Sequence, residues 1–148
     1  MATVSHDDPA PRPVGHEQLA GTLDIPVLSF NLPAEIDHLH KQSAWTESTG
    51  PSSTTLVKHA DLRVVLVAMR AGTRMPEHRT AARVTLEGLS GRVRVLLARG
   101  GVCELPEGHL LVLDREIVHD VEALEDSAFL LTLAWPKAES AHDPELRP

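Results

Sequence analysis

The sequence has no tyrosine, a single cysteine and only 3% aromatic residues. So few rings leave no stacking platform for bases and no aromatic cage for a cation. Cys103 alone excludes an internal disulfide and a thiolate metal cluster, and in the strand-like run GGVCELPEG it reads as a small packing residue. Long apolar runs are missing as well. Val64 to Met69 is typical, and no such segment can span a bilayer. Positive charge is in deficit, with 14 Lys and Arg against 21 Asp and Glu and a net charge of −7, which argues against nucleic acid as a partner. The opening MATVSHDDPAPRPVG is polar and proline-rich and has no apolar leader, so the expectation is a cytoplasmic protein.

What remains is an ordinary globular composition, 42% hydrophobic and 24% charged over 148 residues, enough for one domain with one core. The charge is unevenly placed. Between Asp61 and Arg115 there are nine arginines and no lysine against six acidic residues, while both flanks are acidic. Solvated strand faces account for such a run, and so would arginines turned toward an anionic ligand or a partner subunit.

Residues 1–20 carry Pro9, Pro11 and Pro13 without apolar periodicity and are expected to be disordered. Residues 21–53 are expected to pack on the main domain. Ile25 to Phe30 suggests a first strand. LPAEIDHLHKQSAW, with Pro33 near its start and Leu32, Ile36 and Leu39 at helical spacing, suggests one short helix or two turns, and TESTGPSS a linker. From residue 54 to 136 the texture changes to eight short β-rich runs separated by turn signals, the pattern of a sandwich or barrel. Val64, Val65, Leu66 and Val67 are apolar on both alternations, so this strand needs cover on its outer side. Residues 137–148 read as a flexible tail.

Two segments resemble the cupin motifs. The first cupin motif runs Gly, five residues, His-x-His, three or four residues, Glu, six residues, Gly. Here GTRMPEHRTAARVTLEGLSG places Gly72, His78 and Gly91 in register, with Thr80 in the second His slot and Val84 in the Glu slot. The second motif runs Gly, five residues, Pro-x-Gly, two residues, His, three residues, Asn. GHLLVLDREIVHDVEA keeps Gly108 and His119 but has Asp114 for Pro, Glu116 for Gly and Ala123 for Asn. The resemblance covers about residues 56–135 and is nearest to small single-domain bacterial cupins. It implies an all-β, double-stranded β-helix barrel of jelly-roll type with one short N-terminal helix.

A cupin centre holds iron, manganese, nickel or zinc with three His and one Glu. Carried over residue by residue, that leaves His78 and His119 as the two metal donors, so any divalent ion would need further donors. His59, Glu77 and His109 have suitable chemistry. Positions 78, 80 and 84 share one parity, and on an uninterrupted strand His78, Thr80 and Val84 would line one cavity with His119. By the same rule Asp120 faces away from His119, and Arg79 and Arg83 face outward. Arg70 or Arg74 could reach the mouth, and Val84, Leu86 and Leu111 would make an apolar lining. An imidazole there could act as a general base or donate a hydrogen bond to a carboxylate. No Ser-His-Asp set, phosphate-cradling glycine loop or carboxylate pair is recognisable.

The expected function is therefore small-molecule binding or weak activity at an incomplete metal site. A metal-dependent enzyme of dioxygenase or isomerase type with outside donors is the second reading, and a dimeric sensory module the third. A homodimer is expected, because the doubly apolar strand needs cover.

Overall fold

The structure, a computed structural model, describes residues 26–47 and 50–136. The tails expected at 1–20 and 137–148 lie outside the described residues, as does Ile25. Among the described residues, two short helices, α1 (Leu32–Leu39) and α2 (Ser43–Thr46), precede nine strands. Asn31 caps α1 by accepting from the Ala34 N–H at 3.0 Å, and a proline occupies the first turn, where its missing N–H costs nothing.

The strands are β1 (Ser52–Lys58), β2 (Leu62–Met69), β3 (Arg74–His78), β4 (Arg83–Ser90), β5 (Arg92–Leu97), β6 (Val102–Pro106), β7 (Leu110–Leu113), β8 (His119–Ala123) and β9 (Ser127–Ala134). All pairings are antiparallel. One sheet has the order β1-β2-β9-β4-β7, the other β3-β8-β5-β6. Their inner faces meet in one cluster that includes Val67, Met69, Leu86, Val95, Val121 and Phe129.

The outer face of the five-stranded sheet is apolar too. Leu66 and Ala68 of β2 lie beneath Leu39 and Trp45, with Phe30, Leu32 and Ile36 packed beside them. The doubly apolar β2 is thus covered by the chain's own α1 and α2, which answers within one chain the need from which a second copy was expected. The outer face of the four-stranded sheet is the opposite case. Arg74, Glu122, Arg94 and Glu104 stand in register across all four strands, alternating in sign, and Arg94 approaches Glu122 at 3.7 Å. That face is built for water.

Three sequence expectations are corrected. The strand expected at Ile25 to Phe30 does not form over 26–30: Pro26 has no N–H to offer a ladder, and Phe30 packs under the helices instead. The linker ends sooner, since β1 begins at Ser52 rather than at residue 54. β3 was not expected at all, because Pro76 and the charges in RMPEH mask it. It lies at a sheet edge, where proline is tolerated.

The motif glycines have two separate uses. Gly72, Gly91 and Gly108 take positive φ, as turn residues should, but Gly88 does not. It lies inside β4, where a Cβ would collide with the Pro106 carbonyl. At Gly91 both constraints coincide: φ is +68° and a Cβ would meet the Asp126 carbonyl and the Ser127 side chain. At Gly72, φ is +88° but the space is open. Gly91→Ala should therefore cost at least about 2 kcal/mol in denaturant unfolding, against about 1 kcal/mol for Gly72→Ala. Equal costs would show that backbone angle alone governs both turns.

Candidate functional site

The site begins with an irregularity in β3. Arg74 pairs with Glu122 and Met75 with Val121, and Met75 packs inward against the core. Regular alternation would turn His78, three residues further on, outward. A register shift between Met75 and His78 inserts one residue, so His78 returns to the inner side directly opposite His119. The two ring centroids are 4.3 Å apart with planes at 62°.

Each ring is anchored in the same way. His78 Nδ1 lies 2.8 Å from the Pro76 carbonyl and His119 Nδ1 lies 2.9 Å from the Ile117 carbonyl. A carbonyl only accepts, so Nδ1 carries the proton in both. In the neutral rings Nε2 is then the unprotonated nitrogen with a free lone pair. The rings differ in surroundings. His78 is exposed at the end of β3, whereas His119 is 3% exposed. Burial holds the His119 imidazole below its ordinary value, and the neighbouring His78 pushes the same way. The hydrogen bond to Ile117 and the charge of Asp120 oppose them.

The other expected members do not join the pair. After His78 the chain leaves the sheet for four residues before β4, so positions 78, 80 and 84 do not lie on one strand. Thr80 Oγ1 accepts from the Ala82 N–H at 3.2 Å, and its carbonyl accepts from the Glu116 N–H at 2.9 Å. Thr80 shapes its own turn and ties it to the loop before His119. Val84 is inward but 3% exposed, packed with Leu86 in the core, and Leu111 packs against the same cluster.

Arg70 and Arg74 are both engaged elsewhere. Arg70 Nε donates to the Trp45 carbonyl at 2.6 Å with its guanidinium over the indole ring. Arg74 grips Asp120, its Nε at 3.0 Å and its Nη2 on the same oxygen. That ion pair, with Pro76 and Glu77, lines an open depression of about 330 Å³ on the outer face of β3 and β8. Asp120 therefore faces away from His119, as its neighbouring position requires. Arg83 also faces outward, to Asp114 at 3.1 Å. The parity argument does not reach Arg79, which lies in the loop.

A metal centre of the cupin kind does not fit these residues. His59 lies exposed in the β1–β2 turn, His109 exposed in the turn before β7, and Glu77 at the outer depression. Among the described residues no group of three His, Cys, Asp or Glu is placed to hold a metal ion. Two imidazoles, a committed threonine and a buried valine stand where four donors would be needed.

Sequence reasoning missed Glu116 as a structural outlier. It is the one non-glycine with positive φ among the described residues, at 62°, and it fills the glycine slot of the second motif. The slot keeps the left-handed backbone angle that the motif's glycine favours. The signal was available, since a motif that keeps its spacing keeps its turns.

Two antiparallel sheets of this order, with paired histidines where the two motifs place them, decide the architecture. The fold is that of a cupin. No family model matches the chain, and no curated protein is similar to it. Among solved structures, a conserved Streptococcus pyogenes protein of unknown function is 25% identical, with a TM-score of 0.56 over 60% of this chain and 76% of that one. The cupin domain of Schizosaccharomyces pombe Cnp3 is 15% identical, with a TM-score of 0.62 over 77% of this chain and 78% of that one. A variant of salicylate 1,2-dioxygenase from Pseudoaminobacter salicylatoxidans is 14% identical, with a TM-score of 0.63 over 71% of this chain and 35% of that one. At these identities the similarity to cupins is one of fold. No helix among the described residues is long and apolar enough to cross a membrane.

Two measurements test the local account of this site. The folded state disfavours the His119 cation, so below about pH 6.5 the unfolded chain takes up a proton more readily than the folded one. This contribution is complete above that pH and is lost as pH falls through it. Wild-type stability should thus drop more steeply than that of His119→Asn between about pH 7.5 and about pH 5.5. Parallel curves for the two proteins would mean that burial does not hold the ring neutral. At the neighbouring turn, Glu116→Gly should raise stability by up to about 1 kcal/mol by relieving the left-handed backbone. Glu116→Ala should bring no gain.

Proposed function

We propose that this cupin binds a small organic molecule at the barrel mouth through His78 and His119, both acting as neutral hydrogen-bond acceptors. One observation carries the reading: each Nδ1–H is spent on a backbone carbonyl two residues earlier, so each neutral ring keeps an Nε2 lone pair, on two residues that face each other across β3 and β8. A hydroxyl or amide N–H on the ligand satisfies such a pair. A carboxylate alone does not, because two acceptors would then face an acceptor.

The half-hidden geometry fits a ligand that enters from solvent, with exposed His78 met first and buried His119 beneath it. The same neutral His119 has the character of a general base, whose strength falls as burial lowers its proton affinity. Weak activity of the proton-transfer kind is consistent with this pair. The dioxygenase among the similar structures shares the barrel but brings no ligand residues to this chain.

Two readouts on tag-free protein test the proposal. Nitrogen-15 spectra near neutral pH should place both imidazoles in the Nδ1–H form, and hydroxyl-bearing ligands should shift the two Nε2 signals. Metal content should stay well below one ion per chain. Near-stoichiometric metal that disappears in both His78→Ala and His119→Ala would overturn this reading in favour of a metal-dependent enzyme with unconventional donors.

A further inference from the structure

The arginine-rich middle of the chain gains a meaning from the topology. Three segments flank the histidine pair: 79–82 with Arg83 at the start of β4, 98–101 between β5 and β6, and 114–118 before β8. They are stitched together, since the Glu116 N–H donates to the Thr80 carbonyl at 2.9 Å and the Ala98 N–H to the Val118 carbonyl at 3.0 Å. In these segments Arg79, Arg83, Arg99 and Arg115 stand against Asp114 and Glu116. The remaining turn at this end, 59–61, belongs to the outlying β1–β2 hairpin and adds Asp61. At the opposite end of the barrel the turns 70–73, 107–109 and 124–126 carry Arg70 against Glu107, Glu125 and Asp126.

The four arginines are not equally occupied. Arg83 is closed onto Asp114 at 3.1 Å. Arg79 reaches Glu116 only at 3.7 Å, beyond a hydrogen bond, with both side chains more than half exposed. Arg99 and Arg115 have no ion pair among the described residues; the Asp114 carboxylate takes the Arg115 backbone N–H, and the Arg115 guanidinium acts on it only weakly, through its charge. A chain of net charge −7 thus keeps uncommitted guanidinium groups around its two histidines. An arrangement of this sort raises the local concentration of anions and offers them forked N–H donors.

Resting on the histidine-pair reading above, we infer that the ligand is a small hydroxy acid. Its hydroxyl donates to an Nε2 of the pair, and its carboxylate is taken by Arg79 and Arg115. The carboxylate is favoured over a phosphate because no helix N-terminus is present here and the one glycine pair, Gly100–Gly101, spends its Gly100 N–H on the Leu97 carbonyl at 2.9 Å, while apolar Leu97 and Ile117 lie beside the histidines.

Three matched probes separate the two parts of this inference. Mandelate carries both groups, mandelamide has lost the charge, and phenylacetate has lost the hydroxyl. Binding is followed by amide and imidazole shifts of the full chain, with each probe at about 10 mM so that a millimolar Kd registers. Mandelate should move the signals of 78–80 and 114–119. Mandelamide should bind about tenfold more weakly, and the Arg79→Gln/Arg115→Gln double variant should lose a similar factor for mandelate while keeping its affinity for mandelamide. Mandelate binding should also weaken as salt is raised.

If mandelamide matches mandelate, or the double variant binds mandelate as wild type does, the arginine assignment is overturned and the histidine pair stands. If phenylacetate matches mandelate, the acceptor role of the histidines is overturned while the anion site stands. If no probe moves the histidine signals, both are wrong. Inorganic phosphate binding more tightly than mandelate would replace the hydroxy acid with a phosphate ligand.

Discussion

The pairing of β3 with β8 is the constraint on which the site depends. A strand alternates its side chains with a period of two, so one inserted residue decides whether His78 shares a side with Met75 or with Arg74. With the insertion, His78 meets His119 across the ladder. Without it, the pair would be split, one ring at the mouth and the other on the charged outer face. The same irregularity leaves Pro76 and Glu77 at the outer depression, where Arg74 holds Asp120. One sheet edge thus supports two different surfaces, an imidazole pair within and an ion pair without.

The barrel was legible in the residues for a simple reason. Only β1–β2 and β5–β6 are hairpins, but the strands are short runs with glycine or polar turns between them, and their alternation survives on at least one face. β2 could be recognised as a strand buried on both sides, although not what covers it. The cover comes from α1 and α2, earlier in the chain, and α1 itself was readable from Leu32, Ile36 and Leu39. β3 was hidden because an edge strand needs fewer ladder bonds and so tolerates proline and charge. That omission had a cost at the site. The argument that His78, Thr80 and Val84 share a face assumed one continuous strand, whereas the chain leaves the sheet at Arg79 and re-enters at Arg83.

The substitutions in the motifs are coherent once placed. With Thr80 in the second histidine slot and Val84 in the glutamate slot, two of the motif's four donors are absent together. In their places stand a turn-forming hydroxyl and a core methyl pair, neither of which leaves a buried polar group unsatisfied. Glycine positions behave differently. Gly88 and Gly91 are held by collisions that any side chain would suffer, whereas the motif's other glycine slot holds Glu116 at a positive φ. Spacing outlasts identity because turns answer to geometry and donors answer to chemistry.

The place of β9 has a consequence for how this protein comes into being. β9, the last strand among the described residues, lies third of five in the larger sheet, hydrogen-bonded to β2 on one side and β4 on the other. Until it emerges from the ribosome, β2 and β4 have no common neighbour, and Phe129 is missing from the inner core. The barrel cannot close progressively during synthesis; it must wait for residues near its end and then pair strands far apart in sequence, which is slow. During that wait the apolar edges of β2 and β4 stand open to other chains, and the half-made sheet is exposed to misassociation until β9 fills the gap.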